Sequence, residues 1–371
     1  MNDFKERVVE TFLELVKIDS LSLKEENVFN YLQNRMKTLP VEVNFVPYEI
    51  QETGASSGNL IVKLPSNIKG RKSIFFDAHV DTVEPGIGIK PLVDGEVIKS
   101  DGKTILGADD KAGVAAMIVA LEEMINNNFP HGDVYFIFTS AEEIGLIGVQ
   151  HMDFSLIKAD YGFVLDSHGS VGGVVVAAPD HVSYQIKIRG KASHAGIAPE
   201  KGINAIKIAA DIVKELPQGK LNSNTVANVG LIEGGKATNI IPEECWIKGE
   251  FRSHLKEEIE RLMKLIEKTI NKNRKRATGI DVEFKKLYQG FSFRSQDPII
   301  QLVKTALRAI GIEPCFEKSG GGSNTNIYNQ NKIPSLTLSI GMENLHTTEE
   351  YIKIKDIVDT VRLLLKLIEI V

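Results

Sequence analysis

From the start of the chain to about residue 178, short apolar runs alternate with stretches in which apolar side chains recur every third or fourth position. That rhythm predicts strands alternating with helices in an α/β sheet. Three of the runs, at residues 74–76, 134–138 and 163–165, lead at once into acidic or histidine residues: Asp77-Ala78-His79-Val80-Asp81, Ala141-Glu142-Glu143 and Asp166. Ligands of open α/β sheets bind beyond the carboxyl ends of the strands, so the three endings point to one crevice.

Between residues 181 and 289 the rhythm changes. Residues 183–189 read as strand, 203–216 as helix, 225–233 and 245–252 as strands, 255–275 as helix and 281–287 as strand. This order, βαββαβ, is the split, ferredoxin-like pattern of a small independent domain. Mixed α/β character then resumes with a helix at 298–310, the loop Gly320-Gly321-Gly322, a strand at 336–340 and a closing helix at 354–371 that is apolar around most of its surface. The expected plan is a discontinuous domain, residues 1–180 with 290–371, built in three layers on a mixed, mostly parallel sheet and interrupted by an inserted domain at 181–289.

A chain of 371 residues exceeds what one core usually serves, which agrees with two domains. With 43% hydrophobic and 25% charged residues and a net charge of −5 without long single-sign runs, the composition is that of a soluble globular protein and offers no nucleic-acid surface. The densest basic stretch, residues 272–276, reads as the solvated end of a helix. The chain opens with Met1-Asn2-Asp3-Phe4-Lys5-Glu6-Arg7, which lacks the apolar segment of a secretion signal. No run approaches the roughly 18 apolar residues of a membrane span, so a cytoplasmic protein is expected. Cys245 and Cys315 are far apart and lack Cys-x-x-Cys spacing, which excludes a disulfide framework or zinc-thiolate site.

Four stretches carry candidate chemistry. Gly107-Ala108-Asp109-Asp110-Lys111-Ala112-Gly113 leads into a helical pattern, and on its own Asp109 reads as a helix N-cap with Asp110 in the first turn. In Ala141-Glu142-Glu143, two adjacent carboxylates follow a buried-type strand, either as an exposed acidic pair or as a metal ligand beside a base. Leu165-Asp166-Ser167-His168 and Asn344-Leu345-His346-Thr347-Thr348-Glu349-Glu350 add one carboxylate and one imidazole at similar strand or loop ends. Together His79, Asp109, Glu143, Asp166 and His346 form an imidazole and carboxylate set without sulfur, suited to catalytic Zn²⁺ or Mn²⁺. Five ligands exceed what one tetrahedral catalytic ion can use, but fit two ions about 3.5–4 Å apart that share a carboxylate.

His79-Val80-Asp81-Thr82-Val83, the Gly107 to Gly113 stretch, Ser140-Ala141-Glu142-Glu143-Ile144-Gly145, Ser193-His194-Ala195-Gly196 and Leu345-His346-Thr347 resemble, in order, the motifs of the di-zinc exopeptidases that include peptidase T, glutamate carboxypeptidase, dipeptidases and aminoacylase. The resemblance implies two Zn²⁺ per chain, with Mn²⁺ or Co²⁺ as alternatives. His79 and Asp166 would hold one ion, Glu143 and His346 the other, and Asp109 would bridge them. Glu142 would be the base that takes a proton from the water shared by the ions, and Asp81 would anchor the second ring nitrogen of His79. A cis peptide between Asp109 and Asp110 is also implied, as is a lid and dimerisation role for the inserted domain, whose His194 would face the oxyanion, often in the partner subunit of a homodimer. Arg252 would bind a peptide carboxylate, and Asn239 and the loop around Gly321 would contact substrate.

Asp rather than Glu at 166 and the Gly-Ala-Asp-Asp-Lys-Ala-Gly stretch favour the peptidase T branch, whose substrates are short peptides cut at the N-terminal bond, and also the dipeptidase-like members. The sequence Asp166-Ser167-His168 lacks the glycine expected after the Asp in peptidase T itself, and Lys191-Ala192-Ser193-His194 is closer to the wider family. The alternatives are an amidohydrolase of the same site acting on N-acyl amino acids, a carboxypeptidase or dipeptidase, a single-metal or metal-free structural site, and an inactive scaffold, against which the retention of Glu142 argues.

Overall fold

Strands that are apolar at every position, rather than at alternate ones, must be covered on both faces. The strands Ile74–His79 and Val134–Thr139 are buried at every residue, and the computed structural model, which describes residues 3–51 and 53–371, shows what covers them. They lie in the middle of a large mixed sheet. Its order runs Glu42–Glu49, Ser56–Leu64, Val134–Thr139, Ile74–His79, Tyr161–His168, Ser335–Glu343, Tyr351–Lys353, Val97–Lys99, Leu92–Asp94. The four strands from Val134–Thr139 to Ser335–Glu343 are mutually parallel, and the flanking strands pair antiparallel. All parallel strands therefore end on the same edge, which gathers the residues that follow them.

Alternation along Ile74–His79 assigns the two faces. Ile74, Phe76 and Ala78 enter the main core with the helix Ala108–Asn126, which packs against the N-terminal helix Asp3–Val16 and the C-terminal helix Ile354–Ile370. Phe75 and Asp77 face the other way, onto the helix Asn324–Gln330. There the Phe75 and Tyr328 rings lie 4.2 Å apart, and the Tyr328 hydroxyl donates to Asp77 at 2.9 Å. The result is three layers, as expected. Helix Ala108–Asn126 is buried around nearly its whole circumference, which is how an all-apolar helix is accommodated.

The chain divides into two compact units. The first comprises residues 1–176, 292–318 and 323–371, and the second residues 177–291 with 319–322. In the second, a sheet ordered Gly219–Asn222, Thr225–Gly234, Glu244–Ser253, Asp180–Arg189, Gly279–Tyr288 is antiparallel throughout. It shares an apolar core with the helices Ala205–Glu215 and Lys256–Asn273. The short strand Gly219–Asn222 adds to the expected βαββαβ order. It holds a single apolar residue, Leu221, too little for a period-2 signal, and an Asx turn in which Asn222 Oδ1 accepts from Asn224 N–H at 2.9 Å joins it to the next strand.

Gly113 shows how tightly the helix layer meets the sheet. A Cβ there would sit 2.5 Å from Asp110 Oδ1, 3.0 Å from Leu165 Cβ and 3.2 Å from Ala78 Cβ. Alanine is the better helix former by about 1 kcal/mol. Gly113→Ala is nevertheless expected to destabilise by about 1–3 kcal/mol through overpacking, read as a fall in the urea midpoint; a raised midpoint would show that the layers yield.

Candidate active site

The edge beyond the parallel strands gathers His79, Asp81, Asp109, Glu142, Glu143 and His346. His79 closes its strand and is buried, with Nε2 3.0 Å from Asp109 Oδ1. Asp109 follows Gly107, which adopts a left-handed conformation at the cap of helix Ala108–Asn126. Asp109 and Asp110 have non-helical torsions and are joined by a cis peptide bond. The helix-cap reading of Asp109 is thus displaced by two residues, and its carboxylate is released toward the strands. Its second oxygen, Oδ2, lies 3.1 Å from His346 Nε2, which is also 2.9 Å from Glu143 Oε1. One carboxylate therefore faces two imidazoles, one with each oxygen.

Asp81 holds this arrangement from behind. Nδ1 of His79 is 3.0 Å from the backbone carbonyl of Asp81 and 3.5 Å from its carboxylate, so the carbonyl is the nearer anchor. An Nδ1–H donated there leaves the Nε2 lone pair facing the cluster. The Asp81 carboxylate accepts the backbone N–H groups of Glu142 at 3.0 Å and Glu143 at 3.2 Å, and the hydroxyl of Ser22 at 2.7 Å. Buried Glu25 accepts the N–H of Ala141 at 3.0 Å. Ala141, Leu146, Asn344 and His346 all have left-handed torsions, so strained backbone concentrates in the two loops that carry Glu142, Glu143 and His346.

The ligand atoms of His79, Glu142 and Asp166 lie within 4.8 Å of one another, as do those of His79, Asp109 and Glu143. Asp166 thus joins His79 at the cluster from the neighbouring parallel strand. His194, Asn239, Arg252 and Gly321 belong to the second unit. The segments of His194 and Asn239 are neighbours there, with Ala195 N–H donating to the Asn239 carbonyl at 2.9 Å. Arg252 gives Nε and Nη2 to Glu250 Oε1, both at 3.0 Å, while His181 contacts Glu250 Oε2 at 2.9 Å. A Cβ on Gly321 would lie 3.7 Å from Arg252 Nη1, and one on Gly322 2.3 Å from the Tyr288 ring, so the ring's close approach is what requires glycine at 322.

Charge in the cluster is heavily acidic. Burial, reinforced by Asp166, pushes Glu142 well above the usual carboxylate range, and burial with Asp109 does the same to Asp166. Burial works against a charged Asp109, yet hydrogen bonds from His346 and His79 hold it below that range. His79 is raised against its own burial by Asp109 and Asp81, and Asp109 and Glu143 raise His346 to about 10. Buried Lys111 donates to the Ile18 carbonyl at 2.6 Å, and burial lowers its ammonium to about 7. Two imidazoles facing four carboxylates at this spacing suit divalent cations, which would replace the protons that otherwise relieve the repulsion.

Sequence reasoning missed Ser22, Glu25 and, as a functional group, Glu350, whose buried carboxylate accepts backbone N–H groups of the Asp109 loop. Their partners are remote in sequence, and no local spacing signals them. The Glu350 carboxyl four positions beyond His346 was the one available hint.

A model of the peptidase dimerisation domain of family M20 matches residues 177–278, and a model of peptidase family M28 matches residues 59–193. An uncharacterized protein YqjE of Bacillus subtilis (strain 168) is 39% identical over 366 residues, covering 98% of each chain. The crystal structure of an aminopeptidase PepT from Bacillus cereus ATCC 10987 is 41% identical, covers 98% of each chain and superposes with a TM-score of 0.87. A tripeptidase structure from Staphylococcus aureus subsp. aureus mu50 is 34% identical, covers 99% of this chain and 98% of its own, and gives 0.90. The M28 match stops short of most of the second unit, of which the M20 model covers residues 177–278. These relatives identify the chain as a metallo-exopeptidase. The chain belongs to the M20 peptidase family as a peptidase T-like member.

The raised His346 carries a pH signature in metal-free protein. Its folded pKa of about 10 lies above the ordinary 6.5, so its stabilising charge is complete below about pH 6.5 and is lost as pH rises through 10. The stability gap between wild type and His346→Gln, from urea unfolding in chelator, is expected to shrink across that window; a constant gap would mean that the imidazole is uncharged.

Proposed function

We propose that this chain removes the N-terminal residue from short peptides, tripeptides foremost, with two divalent cations, Zn²⁺ in the first place, held by His79, Asp109, Glu143, Asp166 and His346. The observation that carries the reading is the shared carboxylate, with one Asp109 oxygen for each imidazole. When bound, the cations would supply Lewis-acid polarisation of the scissile carbonyl and lower the pKa of the attacking water. Glu142 accepts the proton of that water and returns it to the leaving amine. In the metal-free chain burial and Asp166 favour the protonated form of Glu142; with cations held beside it that proton would be released, leaving the carboxylate free to act as the base. Asp81 keeps Glu142 and Glu143 in step by binding both N–H groups with one carboxylate.

Recognition falls to the second unit in this reading. Arg252 anchors the peptide's terminal carboxylate through Nη1, since Glu250 already occupies its other edge. Asn239 and Gly321 line the peptide, and His194, half of a backbone bridge with Ile240, donates to the oxyanion. The substrate class is supported by the aminopeptidase and tripeptidase relatives.

A homodimer through the second unit completes the proposal. Its sheet has two edges. Gly279–Tyr288 is blunted by Asp281, Glu283, Lys285 and Lys286, whereas the outer edge of Thr225–Gly234 is paired only over residues 225–227 and leaves Leu231 and Ile232 exposed. An apolar, half-paired edge invites a partner strand. A cytoplasmic setting fits two free thiols, one of them exposed on Cys315, and no helix among the described residues is long and apolar enough to cross a membrane.

Zinc-loaded protein is expected to release the N-terminal residue from unblocked tripeptides and to leave N-acetylated ones intact, read by mass spectrometry. Glu142→Ala should lose about 10²–10⁴-fold in kcat with both metals retained. Loss of a metal in that variant would make Glu142 a ligand instead of the base, and turnover of the acetylated peptides would move the chain to deacylation. For the edge, Leu231→Lys with Ile232→Lys should give a monomer in sedimentation; an unchanged dimer would place the interface elsewhere.

A further inference from the structure

The helix Ala108–Asn126 begins with a defect. Its cap residue is Gly107, and no side chain of that segment accepts the N–H groups of the first turn, which an ordinary helix start would satisfy through a local Ser, Thr, Asp or Asn. The acceptor arrives from more than 240 residues away. Glu350 is 1% exposed. Its Oε2 accepts the N–H of Leu106 at 2.6 Å and of Gly107 at 2.8 Å, and its Oε1 accepts that of Asp109 at 3.1 Å. A carboxylate with three backbone donors suits the positive end of a helix, but the donors here are the residues that lead into and include Asp109.

Glu350 also lies four residues beyond His346, and its segment is fixed on either side. The Glu350 carbonyl accepts Ser100 N–H at 3.0 Å, and the strand Tyr351–Lys353 pairs antiparallel with Val97–Lys99. One side chain thus ties the loop of Asp109 to the loop of His346, whose side chains meet at 3.1 Å.

We propose that Glu350 is a positioning residue of the metal centre, a carboxylate clamp that sets the Asp109 backbone against the His346 loop so that both side chains reach their cations. The inference rests on the reading of Asp109 and His346 as metal ligands. Glu350 touches neither substrate nor cation, and acts through the placement of Asp109. A glutamine at 350 is isosteric but turns an amide donor toward N–H donors, and an aspartate is one methylene too short to reach all three.

The test titrates metal-free wild type, Glu350→Gln and Glu350→Asp with Co²⁺, following the visible absorption of the bound ion, and with Zn²⁺ by calorimetry. Melting of the metal-free proteins is recorded beside them. Both variants are expected to bind at least one ion about 10–100-fold more weakly, the range typical of groups that orient ligands. Their cobalt spectrum should be altered, and kcat should fall while KM stays within about threefold. Wild-type affinity and spectrum in Glu350→Gln would overturn the clamp, even if its melting temperature fell, since that would be a merely structural role. Failure of wild type itself to take up two ions would instead overturn the ligand reading. That failure would also remove the clamp's role at the metal centre; where only the variants fail to fold, hydrogen exchange of metal-free wild type decides the clamp. The amides of Leu106, Gly107 and Asp109 should exchange slowly without metal, and free exchange there would refute it.

Discussion

The carboxylate of Asp81 is the interaction on which the site depends. Its Oδ1 and Oδ2 take the N–H groups of Glu142 and Glu143, and Ser22 closes the remaining side. Its own backbone carbonyl fixes the His79 ring. A proposed ligand, a proposed base and a second ligand are thus all referred to one residue that lies 0% exposed, two positions past the end of a central strand. Burial without a cation partner normally makes a carboxylate costly. Three donors make it tolerable here, and the two backbone donors among them orient the loop of Glu142 and Glu143.

Much of the constellation was legible in sequence for a simple reason. His79, Glu142, Glu143 and Asp166 sit at or just beyond the ends of parallel strands, so an apolar run followed by acids both marks the strand and shows where its side chains emerge. Asp109 was less legible because Asp near a helix start has an ordinary use as a cap, and only the torsions of Asp109 and Asp110 show that it does not serve as one here. The partition of labour at Asp81 was not legible at all. Sequence suggests a carboxylate on an imidazole, whereas the structure gives the imidazole a carbonyl and the carboxylate two backbone amides. Glu25 and Ser22 escaped because their partners lie 116 and 59 residues away. In the second unit the period-2 pattern of residues such as Val182, Tyr184, Ile186 and Ile188 revealed the core strand, while Gly219–Asn222 was too short and polar to register.

The second unit shows a similar economy of charge. Glu250 serves both Arg252 and His181, and burial together with Arg252 lowers the imidazole below its usual range. His181 is therefore neutral near pH 7, and Glu250 keeps its negative charge for the guanidinium. Arg252 is fixed along its Nε–Nη2 edge by a pair of donors that a flexible lysine could not reproduce, which pre-orients its Nη1 side. For the proposed binding of a peptide carboxylate, preorganisation of this kind would lower the ordering cost.

Strain and charge repulsion fall in the same places. The left-handed residues Ala141, Leu146, Asn344 and His346 lie in the loops that also carry Glu142 and Glu350, whose ionisation burial opposes. Neither feature stabilises a metal-free chain. Both become intelligible if cation binding is part of the folded state's free energy, because cations bound only by the native arrangement shift the equilibrium toward it. On that argument the well-packed sheet and helix layers of the first unit do not simply carry the site. They supply the excess stability that lets unfavourable loops and crowded carboxylates persist until the cations arrive.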